Sequence, residues 1–212
     1  MKSHSKEPQI VPSPVGRFYK VRGYLVPSAS TIPSIGLPVQ PYLHKWKIEK
    51  CQGDYSKYLN LQNSASRIGS AIHLLAESYQ LGEVVDLASN DIADYCDTSG
   101  VDFPGDAVTQ IRNGFRSFVD WWMFNKPNLI ATEPLAYCED LNENGELKFP
   151  FCGRIDMIAE LNGEMWILDL KSSKQVKNSL SFLVQLNIYR LLWNAQNPET
   201  PVNKIGVIHA KK

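Results

Sequence analysis

Four things are scarce in this 212-residue chain, and each scarcity narrows what it can do. Cysteine comes first: Cys51, Cys96, Cys138 and Cys152 stand far apart with no CxxC pair, which argues against a zinc site and a disulfide framework. Buried free thiols in a reducing compartment are the expectation. Net charge is absent, since 22 lysines and arginines balance 22 aspartates and glutamates. No long-range field therefore draws the chain to nucleic acid, and any such contact rests on local patches. No apolar run approaches the roughly 18 residues that span a bilayer, and the first twenty residues lack the apolar core of a signal peptide. An intracellular protein with no membrane partner is expected. Finally, there is no linker after about residue 60, where Gly, Pro and Asn clusters are only turn-sized, and no internal repeat.

What is there reads as an arm followed by one domain. Residues 1–40 carry prolines at 8, 12, 14, 27, 33 and 38, with another at 41, which forbid a long helix and suggest an extended N-terminal arm. Residues 41–212 then form the folded domain. Ile68, Ile72, Leu75 and Tyr79 recur at helical spacing and predict a helix from about Ser64 to Gln80, with Gly82 as its stop. A short helix around 88–96 and a longer one from about Pro104 to Asn125 follow, the latter striped by Val108, Ile111, Phe115, Phe118 and Trp122. Beyond Pro127 the period becomes strand-like over about 130–139, 147–160 and 165–171, which predicts an antiparallel meander. A helix from about Ser179 to Ala195, carrying Phe182, Leu186, Tyr189 and Trp193, and a strand over Lys204–His209 complete the pattern.

The chemistry concentrates at one hairpin. Asn162-Gly163 between two strand-like runs signals a two-residue type I′ turn, because both residues tolerate positive φ. With Leu161 and Glu164 flanking that turn, the register sets Asp156 directly opposite Asp169, with Cβ atoms roughly 4.5–5.5 Å apart. Like charges so placed are destabilising unless a cation joins them, and a divalent metal is the natural one. Lys171, two residues beyond Asp169, points to the same face. Hard oxygen ligands for Mg²⁺ or Mn²⁺ beside a lysine suit phosphodiester hydrolysis, the lysine orienting the attacking water or steadying developing charge. The structural alternative is an ordinary exposed ion pair; the apolar run Trp166-Ile167-Leu168 leading into Asp169 argues for a core position instead.

Gly153-Arg154-Ile155-Asp156 followed by Leu168-Asp169-Leu170-Lys171-Ser172-Ser173 resembles the GxxD…(D/E)xK core of PD-(D/E)XK nucleases. Gln185-Leu186-Asn187-Ile188-Tyr189 resembles the QxxxY helix of their RecB-like branch, and Gly69-Ser70-Ala71-Ile72-His73 its GxxxH helix. Pro27-Ser28-Ala29-Ser30-Thr31-Ile32 is similar to the PSVT-type segment of mitochondrial genome maintenance exonucleases and their phage relatives, with Ala29 where valine is usual. The resemblance implies an α/β fold with an αβββαβ core, a mixed central sheet flanked by helices, and exonuclease action on single-stranded DNA ends. It implies Asp156, Asp169, His73 and the Leu170 backbone carbonyl as metal ligands, Lys171 as the catalytic lysine, and Gln185, Tyr189, Arg154, Ser172 and Lys174 as substrate contacts. Relatives with an iron–sulfur cluster place three cysteines after the QxxxY helix; none follows Cys152 here, so no cluster is expected.

Each candidate also has a plainer reading. His73 beside an apolar helix stripe suits a satisfied core imidazole as well as a ligand. Glu77, one turn later, is a secondary candidate that could equally pair with Arg67, and Glu133 is a further acid at the start of the first strand. Gln185 and Tyr189 share a helix face and could instead seal a helix–sheet seam. Lys171, Lys174, Lys177 and Arg190 offer phosphate contacts or a solvated face, and Trp121, Trp122 and Phe124 offer base stacking or core. Replication or recombination proteins are the expected partners, in a cytoplasmic setting of a bacterial or phage-infected cell or in a mitochondrial one. The rival functions are a catalytically silent nuclease-fold module and an endonuclease on duplex DNA.

Overall fold

The structure, a computed structural model, describes residues 7–38, 45, 48–52, 54–85, 106–173, 176 and 180–212. Lys174, Lys177 and the helix expected around 88–96 lie outside those residues. The chain divides into two compact units: Met1–Pro38 with Asn128–Asp169 and Asn178–Gly206, and Val39–Pro127 with Leu170–Lys177 and Val207–Lys212.

In the first unit, the segment expected as an extended arm holds three strands, β1 (Gln9–Ser13), β2 (Gly16–Val21) and β3 (Tyr24–Pro27), and a short helix, α1 (Thr31–Gly36). The strands pair antiparallel in the order β1-β2-β3. Pro12 is tolerated because β1 is an edge strand, where a missing N–H breaks no internal ladder. Arg22 and Gly23, both at positive φ, make the two-residue turn that sets Val21 opposite Tyr24. Tyr19, Val21 and Val26 of this sheet bury themselves with Leu147 and Cys152 in one apolar cluster.

Two of the three long strand segments expected from the sequence are each cut in two. The first becomes β4 (Asn128–Thr132) and β5 (Leu135–Tyr137), the second β6 (Cys152–Arg154) and β7 (Met157–Leu161), while the third is β8 (Glu164–Lys171). The first break falls at Glu133-Pro134, where Glu133 has φ 50° and proline offers no N–H to a ladder. β5 pairs with β6, and a four-stranded sheet runs β4-β7-β8-β9, with β9 at Lys204–His209. β4, β7 and β8 form the expected antiparallel meander within this mixed α/β fold. Asn162 and Gly163 sit at φ 52° and 78°, and Leu161 pairs with Glu164, as the turn chemistry predicts. The last helix of the chain, α4 (Leu180–Gln196), also belongs to this unit.

The second unit is built on α2 (Tyr55–Gln80) and α3 (Ala107–Asn125). α2 starts nine residues before the expected Ser64, at an Asp54 cap whose carboxylate accepts from the Ser56 and Lys57 amides at 2.9 and 3.1 Å. Its first turns are mostly exposed and therefore lack the apolar stripe that signals a helix. Ile68, Ile72 and Leu75 of α2 and Ile111, Phe115 and Phe118 of α3 are buried. The helices meet closely at Gly114, where the missing side chain makes room for Ile72. Tyr79 packs edge-on against Phe115, Phe118 and Trp122 with ring centroids 6.0, 6.3 and 6.1 Å away.

Candidate active site

β8 brings Asp169 out of the run Trp166-Ile167-Leu168 into a buried position, only 2 % exposed. Its Oδ1 accepts a hydrogen bond from Gln185 Nε2 at 3.2 Å, and the same amide nitrogen contacts the Tyr189 phenol oxygen at 3.2 Å. Gln185 and Tyr189 are one turn apart on α4, which is why one amide reaches both. Asp156 follows β6 in a bend and is half-buried. The β7–β8 ladder has the expected register and ends at Met157 opposite Leu168, so Asp156 stands just outside it. Burial raises the Tyr189 phenol well above its ordinary range, the Gln185 hydrogen bond works against that, and the negative charges of Asp156 and Asp169 add to it. The phenol therefore keeps its proton.

Gly153 has a steric reason to be glycine. A Cβ there would stand 2.6 Å from Tyr189 Cε1 and 3.2 Å from the Ala29 methyl. Ala29 is fully buried, and its amide donates to the Cys152 carbonyl at 2.8 Å. The Pro27–Ile32 segment thus lies against the GxxD strand. Ser28 and Thr31 are buried as well, with hydroxyls 2.9 Å apart, and Thr31 Oγ1 bonds both the amide and the carbonyl of Arg17 at 3.0 Å.

Glu133 comes to the same place by backbone pairing. Its amide donates to the Asp156 carbonyl at 3.1 Å, and Ile155 N–H donates to the Pro134 carbonyl at 3.0 Å. A carboxylate oxygen of Glu133 lies within 4.8 Å of one of Asp156. Hard, anionic oxygen donors at this separation fit a divalent metal ion in chemistry.

A family model described as the PD-(D/E)XK nuclease superfamily matches residues 45–210. The chain belongs to the PD-(D/E)XK nuclease superfamily. No curated protein matches it directly. The matched span includes Asp156, Asp169 and Lys171, the last two both carried by β8.

The other sequence candidates have these places. His73 and Glu77 lie half-buried on α2, Arg154 is exposed at the end of β6, and Leu170 is buried on β8. Ser172 is half-buried, with its hydroxyl 3.1 Å from where a Cβ on Gly69 would be, so the GxxxH glycine accommodates the residue after the DxK lysine. The Lys171 carbonyl accepts from Ala210 N–H at 3.0 Å, and a His209 ring nitrogen lies 2.7 Å from the Ser173 carbonyl, pinning this strand exit. Of the aromatic candidates, Trp121 stacks on buried Phe118 with centroids 6.4 Å apart, whereas Phe124 is 87 % exposed. Sequence reasoning missed the Ala29–Gly153–Tyr189 packing. Its only signal was the three motifs themselves, because nothing in their spacing says that they touch.

Proposed function

We propose that this chain is a metal-dependent deoxyribonuclease that degrades DNA from single-stranded ends, in replication, repair or recombination. The observation that carries the reading is the approach of the Glu133 and Asp156 carboxylates within 4.8 Å beside the strand that bears Asp169 and Lys171. Two anionic groups so placed gain from a shared divalent cation. Asp156 and Asp169 serve as its carboxylate ligands, and the resemblance adds His73 and the Leu170 carbonyl. Glu133 joins them as a further acid, with Glu77 a secondary candidate. Bound Mg²⁺ or Mn²⁺ supplies Lewis acidity toward a phosphoryl oxygen and lowers the pKa of water.

The protein's own groups do the rest. Gln185 holds the Asp169 carboxylate in one orientation through its 3.2 Å hydrogen bond. Lys171 orients the attacking water and balances the charge that builds on the phosphoryl oxygens. Tyr189, kept protonated by burial, supports Gln185 and the substrate strand. Ser172 and Lys174 contact the phosphate backbone, an interaction indifferent to base sequence. Overall neutrality makes that contact local.

The test is digestion of end-labelled linear single strands, linear duplex and circular single strands with Mn²⁺. Loss of linear single strands with circles left intact is the expected result. Cutting of circles or duplex interiors would replace the exonuclease with an endonuclease, and no cutting of any substrate would favour a nuclease-fold binding module.

A further inference from the structure

Glu133 holds its place against a backbone preference. Its φ of 50° is the left-handed region, which residues with a Cβ seldom adopt. The next residue is Pro134, so ladder pairing cannot continue across this point through an N–H. Hydrogen bonds from both the backbone and a side chain hold the kink. Glu133 N–H donates to the Asp156 carbonyl at 3.1 Å, Ile155 N–H donates to the Pro134 carbonyl at 3.0 Å, and Arg154 Nη1 donates to the Glu133 carbonyl at 2.9 Å.

The first two belong to backbone, which any sequence supplies. The third belongs to a side chain, and a guanidinium donor makes it charge-assisted. Arg154 is paired in the β5–β6 ladder with Leu135, two residues beyond Glu133. Its side chain therefore reaches past the start of β5 to the kink and closes it from the opposite strand. Held in this way, the Glu133 carboxylate lies within 4.8 Å of Asp156.

We propose that Arg154 is a positioning residue for the metal-binding carboxylates, acting through the Glu133 peptide and not chiefly through a phosphate of the substrate. The inference rests on the metal-dependent reading above and assigns Arg154 a role within it. Without the guanidinium, the Glu133 carbonyl loses its charged donor and the kink relaxes toward ordinary strand geometry, which turns the carboxylate away from Asp156.

Calorimetric titration of Mn²⁺ into the full, DNA-free chain reads this without any turnover. Arg154→Ala should weaken Mn²⁺ binding roughly 10-fold or more, the size of effect usual when a ligand loses the partner that orients it. Arg154→Lys, which still offers a cationic donor, should recover part of that loss, and Glu133→Gln should show a loss at least as large. At saturating Mn²⁺ the KM of Arg154→Ala for a single-stranded oligonucleotide should stay within about twofold of wild type, and its salt dependence should be unchanged. The inference is overturned if Arg154→Ala binds Mn²⁺ like wild type while KM rises and the salt slope falls by about one, the signature of a lost phosphate contact. Absence of Mn²⁺ binding by the wild-type chain would bring down the metal-dependent reading and this inference with it.

Discussion

Replacing Gly153 by alanine puts a methyl group into a space that the fold has already filled. The new Cβ would stand 2.6 Å from Tyr189 Cε1, 3.2 Å from the Ala29 methyl and 3.5 Å from the Ala29 amide nitrogen. Carbon atoms sit comfortably at about 3.5–4.0 Å, so the Tyr189 ring must retreat by roughly 1 Å. It has little room to do so, being only 5 % exposed. The alternative is a shift of the Ala29 backbone, which is tied to Cys152. Overpacking of this kind costs about 1–3 kcal/mol. Ring movement also stretches the 3.2 Å contact between Gln185 Nε2 and the phenol beyond hydrogen-bond range, adding about 0.5–1.5 kcal/mol. A total of roughly 2–4 kcal/mol is expected for Gly153→Ala. Urea unfolding followed by far-ultraviolet circular dichroism reads it as a lower midpoint at unchanged slope. Gly36→Ala is the control, because a Cβ there meets nothing within 4 Å, and it should stay within about 0.5 kcal/mol of wild type. If Gly153→Ala unfolds at the midpoint of Gly36→Ala, the packing of Tyr189 on the GxxD strand is not what this account says.

Two further outcomes follow from buried groups. Burial pushes the Cys152 thiol from its ordinary 9.0 up to about 12, so the unfolded chain releases this proton first as pH rises. Stability is fully present below pH 9.0 and is lost between there and about 12, and a Cys152→Ala variant should show a shallower fall in urea midpoint over pH 9–11 than wild type. An equal fall in both would remove Cys152 as the cause. Thr31→Val keeps the shape of the side chain but deprives the Arg17 amide and carbonyl of their 3.0 Å partner, and should cost about 1–3 kcal/mol in the same unfolding assay. A neutral result would mean that water replaces the hydroxyl.

What the sequence made legible, and what it hid, follows from how local each signal is. Asn162-Gly163 dictates its own turn, and that turn alone fixes which residues of β7 and β8 face each other. The apolar stripes of α2 and α3 were equally readable, because burial on one face leaves a 3.6-residue period. The first turns of α2 were not, since exposed helix carries no such period, and only the Asp54 cap marks the start. Glu133-Pro134 splits a strand whose sequence pattern is continuous, because the kink depends on partners supplied by Arg154, Ile155 and Asp156, some 20 residues on. Prolines made the N-terminal segment look like an arm. Yet Pro12 lies on an edge strand and Pro27 ends another, so neither forbids the sheet. Asp156, Asp169 and Lys171 stood out as motif residues, whereas the Gln185–Asp169 bond and the contact of Ala29 with Gly153 join segments that only the fold brings together.

The most direct test of the central claim is the rate at which the purified chain releases nucleotides from a linear single-stranded oligonucleotide in Mg²⁺, in Mn²⁺ and in chelator, beside Asp169→Asn and Lys171→Ala. The expected result is cutting that needs the metal, stops on chelation and falls by at least about 10²-fold in either variant while both keep the wild-type circular dichroism spectrum. Metal-independent cutting, or full activity in either folded variant, would contradict it.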